Sequence, residues 1–585
     1  MTNKGVYTMK QHVVIVGAVA LGPKAACRFK RLAPEAKVTM IDQSDLISYG
    51  GCGIPYFVSG DVSDAGQLQS TSFHMLRDEK FFKNAKDIDV LTNVRAVSID
   101  RSRKELHVQN VFDGKEQILS YDRLVLATGS RARRLPIPGV ELDGVFTVSD
   151  LGGAVAIKNQ VAGGSVEKAV IIGGGAIGLE MAEALADLWG IETAVVEIAD
   201  QILPGIVSPV MARMGQQQME ENGISIYLRE EVRRLDGNGR VERVVTDRRT
   251  LDADLVIMAV GVSPNGGLAR DAGLDVSPAG AIVVNERMET SDPHIYAGGD
   301  CVEILDLVTG KPAYFPSGSL ANRQGRVIGT NLAGGKATFE GAVGTFVIKL
   351  FDLSVASAGL SLRKAQAHGF DAVSVFVVQF DRAHFYPDKD LVYLELVVEQ
   401  GTRRVLGIQG LGSMSSGMFA RVSAVAAILK YRPTTADISN LELPYAPPFS
   451  SAMDVVNALG NAAENTLDGK NRVIDADAFA DWWLKRDKGE TLFLDCRGWG
   501  NAEDFVKKYP REWKSIPQDE LTARMAEVPK DKNLVLICNT GVRSYEAQIT
   551  LDQMGIHHTY NLQGGVAAIK KWGLDLLASD SSNNE

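Results

Sequence analysis

The 585-residue sequence has only five cysteines, Cys27, Cys52, Cys301, Cys496 and Cys538, and no two are spaced Cys-x-x-Cys. That scarcity speaks against a disulfide scaffold and against a zinc site, so no metal is expected and any cysteine chemistry runs through single thiols. Also missing is an apolar run of the about 18 residues that a membrane-spanning helix requires. The opening MTNKGVYTMKQHVVIVG has no basic stretch, apolar core or cleavage site of a secretory signal, so a cytoplasmic address is expected. Met9, just ahead of the first strand, is a second candidate start beside Met1. No long basic run occurs, and 62 Lys and Arg against 72 Asp and Glu give a formal net charge of -10. That balance argues against nucleic acid or an anionic membrane surface as partner and favours small-molecule chemistry. With 45% hydrophobic and 23% charged residues, the chain is long enough for roughly three or four packed domains.

What is present is strand, glycine turn and helix in succession, twice. HVVIVGAVALGPKAACRFKRL places a loop from Gly17 to Gly22 between strand and helix, and the next strand, KVTMID, ends in Asp42. Its spacing fits a dinucleotide fingerprint, with Val19 where the second glycine belongs; an ordinary tight turn is the alternative. KAVIIGGGAIGLEMAEAL is the full pattern, with Gly173, Gly175 and Gly178, and TAVVE then ends in Glu197. Such loops seat a pyrophosphate on a helix N-terminus, where free N–H groups and the helix dipole favour negative charge. Glu197 at the strand end would bind ribose hydroxyls and repel a 2′-phosphate, which predicts NADH over NADPH. The fold class is therefore α/β, with two Rossmann-like domains.

Two dinucleotide sites in one chain suggest hydride relay from a nicotinamide to a flavin. LVLATGSRARRLPIPG, with Thr128 and Gly129, resembles the ATG strand and turn of flavoprotein disulfide reductases. TSDPHIYAGGDCVE resembles that superfamily's second FAD motif, whose aspartate, here Asp300, binds the ribityl chain. The order implies an FAD domain in two parts, residues 1–155 and 281–340, with an NADH domain at 156–280 between them.

The stretch ISYGGCGIPY sets Cys52 among glycines, with Phe57 five residues on where a dithiol enzyme would carry a second cysteine. An internal disulfide is thereby excluded. Ile54 to Val58 reads as the opening of a short helix, and a thiol at a helix N-terminus has its pKa lowered from about 8.5; a buried structural cysteine is the alternative. Ser48 to Tyr56 resembles the SFxNCGxPY site of the single-cysteine coenzyme A disulfide reductases, and the likeness extends over about residues 10 to 460. It implies that Cys52 is the redox thiol, with Ser48 at the substrate. LPYAPPFSSAMDVVNALG resembles the family's YAPPFSSAKDPxN stretch, which implies that Tyr445 reaches the partner's active site, that the protein is a homodimer, and that residues 341–457 form an α+β dimerisation domain. Gly51 replaces the family's asparagine, Met453 its lysine, and Phe385 the first tyrosine of Tyr-Tyr-Pro; the asparagine and lysine contact coenzyme A in the family. Arg28 matches a helix arginine that meets coenzyme A there, and Lys24 lies one turn earlier on the same face. Solvated surface charges are the alternative reading of both.

GNAAENTLDGKNR has the polar, small-residue composition of a linker, taken as 458–472. The segment 473–585 resembles an α/β rhodanese domain in TLFLDCRGWGNAEDF, in NLQGGVAAIKKWG, and in the CxxGxRS loop that holds Cys538 and Arg543. A loop of that length aims successive N–H groups at the cysteine sulfur, closed by Arg543, and would cradle a persulfide anion; an inactive docking module is the alternative. The fusion looks like the rhodanese-fused coenzyme A disulfide reductases, also described as NADH-dependent persulfide reductases. The resemblance implies FAD and NADH as cofactors, coenzyme A as a further candidate ligand, and Cys52 attacking a persulfide, polysulfide or coenzyme A disulfide. Cys538 would collect or deliver sulfane sulfur. Rival readings are a coenzyme A disulfide reductase proper, an NADH oxidase or peroxidase using a Cys52 sulfenic acid, a sulfurtransferase with a vestigial flavin domain, and a redox sensor. The oxidase relatives carry a histidine in the first glycine loop, and Gly17 to Gly22 has none. Cys27, Cys301 and Cys496 are expected to be structural.

Overall fold

The computed structural model describes residues 11–578; the choice between Met1 and Met9 as start lies outside them. The chain forms two compact units, one of residues up to 198 with 230–342, the other of 199–229 with 343 onward.

In the first unit, strands that read as near-continuous apolar runs pair in parallel, as strands buried on both faces do. The first sheet runs Ile295–Ala297, Arg123–Leu126, His12–Val16, Lys37–Ile41, Asp89–Leu91, all parallel. Its edge strand Ile295–Ala297 comes from far along the chain, so the first nucleotide domain is completed by a returning segment. The second sheet holds Glu192–Glu197, Lys168–Ile172, Leu255–Met258 and Val145–Thr147, again parallel. This corrects the boundary expected at 155/156: strand Val145–Thr147 already belongs to the second sheet, and the helix Leu151–Ala162 spans the expected cut.

The second unit carries a five-stranded antiparallel sheet, ordered Phe346–Leu350, Leu353–Gly359, Val405–Ser413, Leu391–Glu399, Ala372–Phe380. The helices Met418–Leu429 and Val455–Leu467 share a buried core with it. Here the expected linker is overturned. Val455–Leu467 is a helix, N-capped by the Asp454 side chain and burying Val455, Val456, Leu459, Gly460 and Ala463. Their i, i+3, i+4 spacing is a helical stripe, and the small residues serve close packing: a Cβ on Gly460 would lie 2.5 Å from Ser439 N. Low bulk here marks a tight helix crossing, where composition had suggested a flexible connection.

The last sheet is parallel throughout, ordered Val473–Ile474, Thr559–Leu562, Asn533–Ile537, Thr491–Asp495, Trp513–Ser515. Its domain rests on the rest of the second unit. Gln563 Oε1 accepts from Phe376 N, Lys571 Nζ donates to Gln218 Oε1 at 2.9 Å, and Gly564 faces Val378 and Phe376. Among the described residues no helix is long and apolar enough to cross a membrane.

Candidate active site

The two glycine loops are built alike. Gly17 and Gly173 have φ of +107° and +111°, and a Cβ on either would strike a carbonyl of the adjoining chain, Ala127 O at 2.1 Å or Ala259 O at 2.5 Å. Gly22 and Gly178 stand against Gly17 O and Gly173 O in the same way, while a Cβ on Gly175 would meet nothing within 4 Å. The openness of Gly175 is the close approach a pyrophosphate needs; in the first loop Val19 is half-buried at that place. The helices after the loops, Leu21–Leu32 and Ala176–Ala186, have no side-chain cap. By contrast Asp64, Asp78 and Asp150 cap the three other helices that they precede. Uncapped first-turn N–H groups are the donors a phosphate takes up.

Each strand-end carboxylate is turned toward its own loop. Asp42 Oδ2 accepts from Ala18 N at 2.8 Å, and Glu197 Oε2 from Gly174 N at 2.6 Å. Thr128 and Gly129 join the 262–265 strand region, with Thr128 Oγ1 donating to Asn265 O at 2.7 Å and Asn265 N to Gly129 O at 2.9 Å. Asp300 accepts from Ser317 N at 3.1 Å and Ser130 Oγ at 3.5 Å, and burial raises its pKa. Uncapped helix starts, an acidic group at each strand end and the half-buried Asp300 fit the two dinucleotides that the motifs imply.

Cys52 is exposed, in a single turn Gly51–Gly53 that leads into the helix Ile54–Ser59. Phe57 is buried in that helix under the Lys158 ammonium, 4.1 Å from its ring centroid, and Trp189 Nε1 donates to Val58 O at 2.8 Å. The position of a second cysteine is thus a packing position. A methyl built on Gly318, first residue of the long helix Gly318–Leu332, would lie 3.8 Å from Cys52 Sγ. The lowered thiol pKa expected from the helix start is not found. Partial desolvation of the sulfur by the protein around this exposed turn, then the charges of Glu180 and Asp300, push it up, and these outweigh the backbone hydrogen bond that opposes them.

Glu180 is the residue that sequence reasoning missed. It lies on the second glycine-loop helix, hydrogen-bonded to Tyr56, and burial together with Glu183 pushes its pKa up to about 7. The signal was available: GLEMAEAL sets two carboxylates three apart on an otherwise apolar helix, where a solvated face would be expected to carry more charge.

Ser48, expected at the substrate, is 3% exposed at φ +51°, and its N–H donates to Ala18 O at 2.7 Å. It ties the Cys52 loop to the first glycine loop and does not face solvent. Arg28 and Lys24 share one face of their helix, against Gly329 and Gly325. Arg28 Nε donates to Thr330 Oγ1 at 3.1 Å, whereas Lys24 is exposed. Gly51 is open: an added Cβ would meet only Tyr49, at 3.9 Å. In the second unit Tyr445 is exposed, as are Phe385, Phe449 and Met453. The loops that carry them are held together by Ala383 N on Pro447 O, Ser451 Oγ on Arg382 O and Gln379 Nε2 on Met453 O.

The loop expected to cradle Cys538 brings one backbone N–H and one hydroxyl to its sulfur. Gly541 N and Ser544 Oγ point at its sulfur from 3.1 and 3.2 Å, and Arg543 is half-buried on the first turn of the helix Val542–Gln553. The loop is held from behind by the GG pair of the closing motif. Val566 N donates to Cys538 O at 2.9 Å, and a Cβ on Gly565 would lie 2.2 Å from that oxygen. Asp495 and Arg497 of the DxR turn form a buried ion pair that also receives Trp513 Nε1. Cys301 is buried and donates to Gly298 O at 3.2 Å, and Cys27 is half-buried against the first core.

Comparison with known proteins agrees with this architecture. Residues 11–315 match the model of the pyridine nucleotide-disulphide oxidoreductases, 345–456 that family's dimerisation domain, and 479–571 the rhodanese-like domain. A NAD(P)H sulfur oxidoreductase (CoA-dependent) of Pyrococcus abyssi is 35% identical over 449 residues, 77% of this chain and 97% of the relative. The solved NAD-dependent persulfide reductase from A. fulgidus has 38% identity and a TM-score of 0.89 over 95% of this chain and all of its own. The Bacillus anthracis CoADR-RHD structure has 31% identity and a TM-score of 0.87 over 96% of this chain and 98% of its own. The chain belongs to the pyridine nucleotide-disulphide oxidoreductase family, whose cofactors are FAD and NAD(P)H, with a rhodanese-like domain following its dimerisation domain.

Proposed function

We propose that this protein is an NADH- and FAD-dependent reductase of persulfides and polysulfides, with Cys52 as the attacking thiol and Cys538 as the sulfur carrier. The observation that carries the reading is the pairing, in one chain, of an exposed lone thiol whose usual partner position is filled by Phe57 with a built persulfide cradle around Cys538. A lone thiol forms its mixed bond with a foreign sulfur. Cys52 attacks the sulfane sulfur of a persulfide, the displaced thiol leaves, and two electrons with one proton then release sulfide and restore the Cys52 thiolate. FAD, when bound, supplies those electrons from NADH. Glu180, protonated below about pH 7 and bonded to Tyr56, holds a proton near Cys52 for the departing sulfur.

Relatives named for coenzyme A dependence support coenzyme A persulfide or disulfide as further substrates. Gly51 and Met453 lack the side chains through which the resembling family holds coenzyme A, so small persulfides rank first. A homodimer is supported by the dimerisation-domain match and the exposed Tyr445, Phe385, Phe449 and Met453; light scattering that gave only monomer would sink this. Reliance on NADH and free thiols fits a cytoplasmic address, checked by cell fractionation.

The test is anaerobic NADH oxidation with polysulfide, coenzyme A persulfide, coenzyme A disulfide and peroxide in turn. Sulfane-sulfur acceptors should turn over fastest; peroxide or oxygen as sole acceptor overturns the reading. Cys52→Ser should abolish turnover while FAD stays bound, and Cys538→Ser should impair only substrates that pass through sulfur transfer.

A further inference from the structure

Cys496 and Cys538 stand just beyond the ends of two neighbouring parallel strands, Thr491–Asp495 and Asn533–Ile537, paired in register from Thr491↔Asn533 to Asp495↔Ile537. The ladder continues one step, Cys496 N donating to Ile537 O at 2.8 Å, which sets Cys496 beside Cys538. Adjacent strands lie about 4.8 Å apart, inside the span of about 4.4–6.8 Å between Cα atoms that a disulfide bridges. Parity puts both side chains on one face, because alternate residues of a strand share a face. Leu492, Leu494, Cys496, Leu534 and Leu536 form one buried cluster with Ala547 and Leu551 of the helix Val542–Gln553. Ser544 of that same helix donates to Cys538 Sγ.

Packing alone does not call for sulfur at position 496. The position is apolar and buried, and the thiol lies 3.8 Å from Leu494 O. Burial, then the neighbouring Cys538 and Asp495, raise the pKa of this thiol and keep it protonated, against a smaller opposing effect of Arg543.

We propose that Cys496 is a resolving thiol for the Cys538 persulfide, an inference that rests on Cys538 being the sulfur carrier. Cys496 Sγ bonds to Cys538 Sγ and the bond from Cys538 Sγ to the outer sulfur breaks. The Cys496 proton goes to the outer sulfur, which leaves as hydrosulfide. Cys496 is oxidised, the outer sulfur is reduced, and a Cys496–Cys538 disulfide remains. Two equivalents of a small thiol, reacting by exchange, restore both cysteines and leave as their own disulfide. Because the thiolate is the reactive form, a protonated Cys496 reacts slowly. Delivery to an acceptor comes first, and only a persulfide that finds none is discharged.

The test uses the full-length Cys52→Ser protein under anaerobic conditions, so that NADH-driven reduction contributes nothing. It is loaded with thiosulfate or polysulfide, desalted, and split between cyanolysis to count bound sulfane sulfur, sulfide assay with time, and non-reducing peptide mapping after alkylation. The expected result is release of sulfide without NADH or added thiol, loss of cyanide-labile sulfur, and a Cys496–Cys538 linked peptide. Adding Cys496→Val should abolish both the release and the link while loading persists. Loaded protein that forms no linked peptide, or a Cys496→Val protein that discharges at the parent rate, overturns the proposal. Failure to load Cys538 at all overturns the carrier role as well, so the two failures are distinguishable. Mapping of the parent protein decides the matter even if the valine variant folds poorly.

Discussion

Glu197 Oε2 accepts a hydrogen bond from Gly174 N at 2.6 Å, inside the second glycine loop. The carboxylate that ends the strand thus fixes the loop, and from its place at the strand end we expect it to repel a 2′-phosphate. The wild-type protein should prefer NADH. Glu197→Gln keeps an acceptor for Gly174 and removes the charge; if repulsion of about 1–2 kcal/mol is relieved, the NADH preference in kcat/KM should shrink about tenfold. Steady-state kinetics with both nucleotides checks this, and an unchanged ratio rejects the charge argument.

Glu180 should govern the pH response of Cys52. Its charge raises the Cys52 pKa, so Glu180→Gln should lower the midpoint of Cys52 alkylation against pH. Its own pKa, about 7 in the fold against an ordinary 4.5, also has a sign for stability. The folded state holds the proton more tightly, so this contribution is fully present below pH 4.5 and is lost as pH rises through about 7. Thermal melts of wild type and Glu180→Gln should therefore diverge on the alkaline side, with the glutamine variant the more stable there.

Gly51→Asn should be accepted without strain, since a Cβ at Gly51 meets only Tyr49 at 3.9 Å. If residue 51 selects the substrate, the variant, alone or with Met453→Lys, should lower KM for coenzyme A disulfide and leave that for polysulfide unchanged. Equal effects on both would remove Gly51 from the specificity argument.

Arg421 holds the Tyr445 segment through Asp454. Its guanidinium donates to both Asp454 oxygens at 2.8–3.0 Å, and all partners are buried. Removing one member of a buried pair costs about 3–5 kcal/mol, because the other charge is left unpaired. Arg421→Ala should lower the melting temperature and weaken self-association, read by light scattering across concentration.

Gly565→Ala should damage the rhodanese-like domain alone. A Cβ there lies 2.2 Å from Cys538 O at a φ of +56°, so the persulfide loop must shift. Sulfur loading by cyanolysis should fall while NADH reduction of polysulfide continues.

Much of the site could be read before any fold. The glycine spacings, the terminal Asp42 and Glu197, the lone Cys52 and the Cys538 loop each depend on residues near in sequence, and local hydrogen bonding realises them directly. Three readings failed for physical reasons. The linker at 458–472 is largely helix, because Gly460 and Ala463 are small for packing and not for flexibility. The pKa of the Cys52 thiol is raised, not lowered, first by desolvation and then by Glu180 and Asp300, which come from elements 128 and 248 residues away in the chain. The boundary at 155/156 falls inside the helix Leu151–Ala162, because strand Val145–Thr147 already pairs into the second sheet.

By itself the sequence determined two glycine loops of dinucleotide type, a cysteine at 52 with no second cysteine five residues on, and the CxxGxRS loop of Cys538, all encoded as short motifs whose geometry is local. Only the tertiary structure decided which charges surround Cys52, which surface stays open at Gly51, and that Cys496 lies beside Cys538. Those relations arise from strand register and helix packing between distant segments, where distance along the chain carries no information about distance in space.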